Sequence, residues 1–155
     1  MSKYIAYIVC LVMMCGLTGC LDHGLEDIDT YNGADITSIE GVYYRYTTDK
    51  ILNVSGEPQV KQIALKMVQP TIDPETGTVE VTVEPTVNFP AEELSKLSVD
   101  NLVVCMNISV ASVIRPIGGS VKLGVPGDWS HPNSYEIIAA DNTKKEWTIT
   151  VKLNK

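Results

Sequence analysis

The sequence is poor in basic residues, histidine and aromatic rings, and each shortage excludes a class of function. Its 155 residues contain 12 Lys and Arg against 19 Asp and Glu, which gives a formal net charge of −7. A protein that binds nucleic acid needs a surplus of Lys and Arg on one face, so this charge balance argues against RNA or DNA as a partner. The two His and four Cys residues leave little material for a metal or redox centre, and we expect no cofactor.

Long apolar runs are also scarce, and the longest of them lies at the N-terminus. It covers residues 4–14, behind Lys3, and is too short to cross a membrane, which takes about 20 residues. A positive charge, a short apolar run and small residues before a break are the parts of a secretory signal peptide. The run leads into Leu17-Thr18-Gly19-Cys20, which resembles the bacterial lipobox. The lipobox cysteine is acylated and begins the mature chain, so we predict a signal peptide over residues 1–19 and lipid attachment at Cys20.

The segment between the predicted anchor and the predicted domain is acidic and irregular. It covers residues 20–35 and is typical of a solvated tether. Cys10 and Cys15 leave with the signal peptide, so Cys105 is left as the one unmodified thiol. It stands among apolar residues and has no basic neighbour in sequence, which favours a buried core position over a reactive thiol.

From Ile36 onward, apolar and polar residues alternate, which indicates β-strands with one buried face. The alternation is strictest in residues 78–84 and 146–153, where it also predicts that Trp147 belongs to the core. Weaker strand patterns cover residues 41–48, 60–68, 102–110, 120–125 and 135–140. Residues 90–97 are typical of a short helix. About seven short strands separated by turns predict an all-β fold, an immunoglobulin-like antiparallel β-sandwich over residues 36–155.

The last predicted hairpin carries a recognisable pattern. Aromatic and aliphatic residues alternate over residues 135–151, on both sides of an Asp141-Asn142 turn. This pattern resembles the closing hairpin of immunoglobulin-like domains in Bacteroidetes surface lipoproteins, in which a Gly usually replaces Asn142. Many of these domains have no known function, and others precede carbohydrate-related modules. The resemblance implies a cell-surface or glycan-utilisation setting, and it transfers no catalytic residue.

The same resemblance bears on location. We expect the mature protein to be held in the outer membrane by its N-terminal lipid. In bacteria of this kind, acidic residues close behind the acylated cysteine favour export to the cell surface. Asp22, Glu26, Asp27 and Asp29 stand there, so we predict the cell surface rather than the periplasmic face.

The sequence contains no arrangement of residues that predicts catalysis. His131 stands beside Ser130, but adjacent residues on an extended loop point apart, and no strained elbow exposes the serine. Glu92 and Glu93 open the predicted helix and are typical of a solvated helix start rather than of the paired carboxylates of a glycosidase. We therefore expect that the protein is not an enzyme.

Three aromatic side chains are candidate ligand contacts. Trp129 lies in a polar loop with Asp128 and His131, where an exposed indole would stack on a sugar ring while its neighbours bind hydroxyl groups. In the alternative interpretation, Trp129 folds back and covers the open end of the sandwich. Tyr44 and Tyr46 share one face of a strand and form a second, weaker candidate for a sugar or protein contact.

Two functions fit these observations. The first is a non-catalytic, lipid-anchored binding or docking module associated with glycan capture, whose partner is a polysaccharide or an outer-membrane protein. The alternative is a structural spacer or assembly subunit that contacts another outer-membrane protein through a sheet edge or face. The exposure of Trp129 separates them. An exposed indole favours a glycan, whereas a buried indole with an apolar patch elsewhere favours protein contact.

Overall fold

The computed structural model of the chain describes residues 30–155. The predicted signal peptide, Cys20 and most of the predicted tether lie outside the described residues. The strands are β1 (Ile36–Ile51), β2 (Pro58–Ala64), β3 (Lys66–Asp73), β4 (Thr78–Glu84), β5 (Leu102–Ile108), β6 (Val113–Ile117), β7 (Pro126–Gly127), β8 (Asn133–Ile138) and β9 (Lys144–Leu153). A short helix, α1 (Ala91–Leu94), lies inside the predicted helical residues and is followed by a 3₁₀ turn (Val99–Asn101). No helix among residues 30–155 is long and apolar enough to span a membrane.

The strands form two sheets around one core, so the predicted all-β, immunoglobulin-like sandwich is confirmed. The strand order is β2-β1-β5-β7 in the first sheet and β3-β4-β9-β8-β6 in the second. β4 and β9 lie side by side in parallel, so the second sheet is mixed rather than fully antiparallel as predicted. The chain leaves β4 through α1 and returns through the β8–β9 hairpin, which brings β9 in alongside β4 in the same direction.

Strict alternation identified the strands at the centre of the core. The inward-facing residues of β4 and of the middle of β9 are buried: Val79, Val81, Val83, Trp147, Ile149 and Val151. Trp147 thus lies in the core as predicted. Its indole N–H donates to the backbone oxygen of Ala34 over 3.0 Å, and the amine of Lys145 lies 4.9 Å from the centre of its ring.

Three predictions of strands differ from the structure: residues 60–68 divide at Leu65 into β2 and β3 of different sheets, residues 120–125 are a loop, and β6 and the short β7 were missed. Residues 120–125 were predicted as a strand, but Val121 donates its backbone N–H to the Asn133 side chain over 3.0 Å instead of joining a sheet. Gly124 also has a φ of +77°, which an extended strand does not allow. β6 had no clear pattern because it is an edge strand that contains Pro116 and carries exposed apolar residues.

The domain begins before Ile36, where the tether was predicted to end. Ala34 is buried, and its carbonyl satisfies the indole N–H of Trp147. Asp35 forms an ion pair with Lys145, and its backbone oxygen accepts the N–H of Ser109 over 2.9 Å. The last residues of the predicted tether are therefore held to the sandwich, because they supply partners for buried polar groups.

β1 and β2 form a long hairpin at one side of the first sheet. β1 has 16 residues, and the turn after it is closed by hydrogen bonds between Leu52 and Glu57 and between Gly56 and Leu52. Beyond β2, the single buried residue Leu65 leads into β3, which belongs to the second sheet. β2 is therefore an edge strand that ends at a corner of the sandwich.

Candidate functional site

Trp129 is part of the core, with 1 % of its surface exposed. Its indole N–H donates to the backbone oxygen of Leu102 over 3.1 Å, and its backbone N–H donates to Val99 over 3.0 Å. Its ring stacks on Tyr135, with ring centres 6.4 Å apart. The prediction of a sugar platform at Trp129 is therefore wrong, and the alternative, a cover for the end of the sandwich, describes its position.

Asp128 and His131 are at the surface on either side of Trp129. A carboxylate oxygen of Asp128 accepts the backbone N–H of Ser130 over 2.8 Å, and hydrogen bonding from Ser130 lowers the pKa of that carboxyl group. The other carboxylate oxygen lies 3.8 Å from Nδ1 of His131. These two predicted contacts are accessible, but without the indole they lack the apolar plane on which sugar recognition depends.

A shallow depression of about 440 Å³ adjoins this loop. Its lining includes Ser98, Ser130, Lys152 and Lys155, together with a part of Trp129, but neither Asp128 nor His131. Lys152 is already paired with Glu80 over 3.2 Å. The predicted polar residues therefore do not converge on this depression, as a small-ligand site requires.

Tyr44 is also buried, with 3 % of its surface exposed. Its hydroxyl donates to Glu93 over 3.0 Å, and the second carboxylate oxygen of Glu93 accepts from Lys96 over 2.8 Å. Burial, and then the hydrogen bond and charge of Glu93, raise the pKa of Tyr44 to about 12. The hydrogen bond from Lys96 is the main cause of a lowered pKa at Glu93.

Tyr46 and Phe89 complete this aromatic cluster. The ring of Tyr46 stacks on that of Tyr44 with centres 5.7 Å apart and an angle of 14°, and Phe89 packs at the same distance. The prediction of Tyr44 as a ligand contact is wrong, because its hydroxyl binds Glu93 of α1 and its buried ring packs against Tyr46 and Phe89. Tyr46 is half-buried. Because Tyr44 is buried, the two rings do not form the exposed pair that was predicted.

A group of exposed apolar residues lies at the end of the β1–β2 hairpin. We call it the hairpin tip and define it as Ile51, Leu52 and Val54, all of which are exposed. Asp49, Lys50 and Glu57 flank it. Sequence reasoning missed this surface. The available signal was a group of apolar residues just beyond residue 48, where the predicted strand ended.

The described residues contain one free thiol and no grouped metal ligands. Among residues 30–155, no group of three or more His, Cys, Asp and Glu side chains is placed to hold a metal ion. Cys105 is half-buried on β5 rather than in the core, because its neighbour Val104 takes the inward position. Burial raises the pKa of its thiol, which disfavours the reactive thiolate.

Comparison with known proteins assigns this fold to a family. A family model described as DUF5018-related matches residues 36–150. The chain belongs to the DUF5018-related family. A solved structure of a Bacteroides fragilis protein described as secreted is similar to this DUF5018-related chain, with 36 % identity and a TM-score of 0.71. The match covers 81 % of this chain and 99 % of that one, so the relative consists almost entirely of the same domain. No curated protein matches.

Proposed function

We propose that this DUF5018-related protein is a lipid-anchored, non-catalytic docking protein of the cell envelope, which binds another outer-membrane protein through the hairpin tip. The lipobox-like residues that end at Cys20 support the anchor. The relative described as secreted supports a location beyond the cytoplasm, and the acidic residues after Cys20 support the cell surface.

The observation that carries this proposal is the clustering of three exposed apolar side chains. A single exposed valine or leucine is ordinary, but adjacent exposed side chains mark interaction surfaces. Contact with a partner would remove the hairpin tip from water, which is worth about 25 cal/mol per Å² of apolar surface. Asp49 and Glu57 outnumber Lys50 around the tip, a charge pattern that suits a protein partner better than an anionic lipid surface.

Cross-linking in living cells tests the docking surface. A photoreactive residue at Val54 of the full-length, acylated protein should give a discrete adduct with another envelope protein. The triple substitution Ile51→Ser, Leu52→Ser and Val54→Ser should abolish co-purification of that partner. Val113 on β6 is the matched control position, because it is 55 % exposed and Ile51 is 52 % exposed. Val113→Ser should leave co-purification unchanged. Equal adducts from photoreactive residues at Val54 and at Val113 would contradict a specific docking surface.

Two further measurements separate docking from the other parts of the proposal. Cys20→Ala should abolish lipid labelling, and labelling that persists in this variant would contradict acylation at Cys20. Electrophoresis through gels that contain polysaccharides should show no retardation. Retardation that survives the triple substitution at the hairpin tip would place glycan binding elsewhere on the domain and overturn protein docking as the main function.

A further inference from the structure

Among the four strands that end the two sheets in the described part of the chain, β2 alone is both longer than two residues and free of an internal Pro or positive φ. The other edge strands each carry a feature that blocks strand addition. β3 has a positive φ at Gln69, followed by Pro70 and a shift of register. β6 contains Pro116 in its middle, and β7 has two residues. β2 has seven residues, and Pro58 stands at its first position, where it does not interrupt the edge.

The backbone groups of β2 alternate between its partner β1 and solvent. Leu65, just beyond β2, donates its N–H to Val42 over 2.8 Å. The register pairs Ile63 with Tyr44 and Lys61 with Tyr46, so these residues also direct their N–H and C=O groups toward β1.

The residues between them face the other way. Val60, Gln62 and Ala64 direct their N–H and C=O groups outward, and their side chains are exposed. Arg45 donates to the side-chain oxygen of Gln62 over 2.7 Å, which keeps that side chain on the outer face of the sheet. The outward backbone groups have no partner among residues 30–155.

We propose that β2 pairs antiparallel with β2 of a second copy of the chain, about a two-fold axis at Gln62. In this register Gln62 lies opposite Gln62 of the second copy, and Val60 lies opposite Ala64 of the second copy. All three residues present outward N–H and C=O groups, so each pair exchanges two backbone hydrogen bonds. One surface thus meets itself, as an isologous dimer requires.

The charge pattern favours this register over one centred on Lys61, and it favours the antiparallel direction. A two-fold axis at Lys61 would place two ammonium groups directly opposite one another, which destabilises a strand pair. With the axis at Gln62, Lys61 lies opposite Ile63 of the second copy. Glu57 precedes β2 and Lys66 follows it, and both are exposed. Antiparallel pairing brings these opposite charges of the two copies to the same end, whereas parallel pairing would bring like charges together.

The interface is short, so the dimer is weak in solution. A strand pair of this length buries less than the roughly 1,600 Å² of a standard protein interface. Attachment of both copies to one membrane raises their effective concentration and compensates for the small area. The hairpin tip lies outside β2, so this contact is independent of the proposed docking surface.

Disulfide trapping tests the pairing and its register. The 30–155 fragment is suitable, because the crystallised relative consists almost entirely of this domain, and Cys105→Ala removes the native thiol. Gln62→Cys places two thiols on residues whose Cα atoms are about 5.5 Å apart, within disulfide range. Mild oxidation should cross-link this variant at least ten-fold faster than Val113→Cys. Val60→Cys alone should not cross-link faster than that control, but a mixture of Val60→Cys and Ala64→Cys should.

Equal cross-linking rates for Gln62→Cys and Val113→Cys would overturn the dimer, and faster cross-linking of Lys61→Cys than of Gln62→Cys would overturn the register.

Sedimentation velocity gives a second readout without cysteine. The sedimentation coefficient of the wild-type fragment should rise with concentration, and Gln62→Pro should abolish the rise while leaving the melting temperature near the wild-type value. A wild-type fragment that stays monomeric at millimolar concentration would contradict the pairing. The triple substitution at the hairpin tip should leave the dimer unchanged.

Discussion

Trp129 and Tyr44 each use their one polar atom inside the domain. The indole N–H of Trp129 reaches Leu102, and the hydroxyl of Tyr44 reaches Glu93, far away in sequence in both cases. An aromatic residue with a satisfied polar atom adds its full apolar area to the core. Local sequence could not show this, because both acceptors, Leu102 and Glu93, lie in or next to the segment that contains α1 and the 3₁₀ turn. Trp147 was predictable because its own strand alternates.

Substitution of Trp129 should act on stability. Trp129→Ala removes a buried ring and leaves a cavity, so the free energy of unfolding should fall by about 3–5 kcal/mol. Urea denaturation of the 30–155 fragment measures this change. Ser130→Ala, on the exposed neighbour, is the control and should change stability by less than about 0.5 kcal/mol. A Trp129→Ala variant as stable as the wild type would show that the indole is at the surface after all.

At the scale of strands and turns, the sequence predicts those strands in which apolar and polar residues alternate. The strands of residues 78–84 and 146–153 were predicted closely, because one face of each is buried. Edge strands are less visible, since β2 and β6 expose apolar residues such as Val60 and Val113. The hairpin tip was missed for a related reason. Strand and turn prediction assumes that apolar residues are buried. Apolar residues that stay exposed for contact with a partner do not follow this assumption.

The turn between β3 and β4 has a requirement that substitution can test. Gly77 has a φ of +65°, and a Cβ there would collide with the carbonyl oxygen of Glu146. Gly77→Ala therefore combines backbone strain with a collision in a sheet, and we expect a loss of more than about 3 kcal/mol of stability. Gly56 has a φ of +72° with no atom near a Cβ, so Gly56→Ala should lose about 1–2 kcal/mol. Equal losses by chemical denaturation would contradict the collision.

At the scale of the whole molecule, the fold class was predictable and the limits of the domain were not. The boundary at Ile36 follows the first strand pattern, but Ala34 and Asp35 belong to the folded unit through contacts with Trp147 and Lys145. Those contacts join residues more than a hundred positions apart, and no local pattern reveals them.

Truncation at the predicted boundary should therefore destabilise the domain. A 36–155 fragment lacks the carbonyl of Ala34 and leaves the buried indole N–H of Trp147 without its partner, which costs about 1–3 kcal/mol. A 32–155 fragment keeps Ala34 and Asp35 and is the matched control. Thermal or urea denaturation should show that the stability of the 32–155 fragment is close to that of the 30–155 fragment. Equal stability of the 36–155 and 32–155 fragments would show that these residues do not belong to the folded unit.

The position of β1 has a mechanical consequence. β1 starts next to the segment that leads to the predicted anchor and ends at the hairpin tip, 16 residues later, which is roughly 50 Å of extended chain at about 3.3 Å per residue. A pulling force between the membrane and a partner held at the tip would run along this one strand. Because the strand is already extended, the load would stretch covalent backbone and would not have to pass through the sandwich. The rest of the domain would then hold this single strand in place while the strand carries the load.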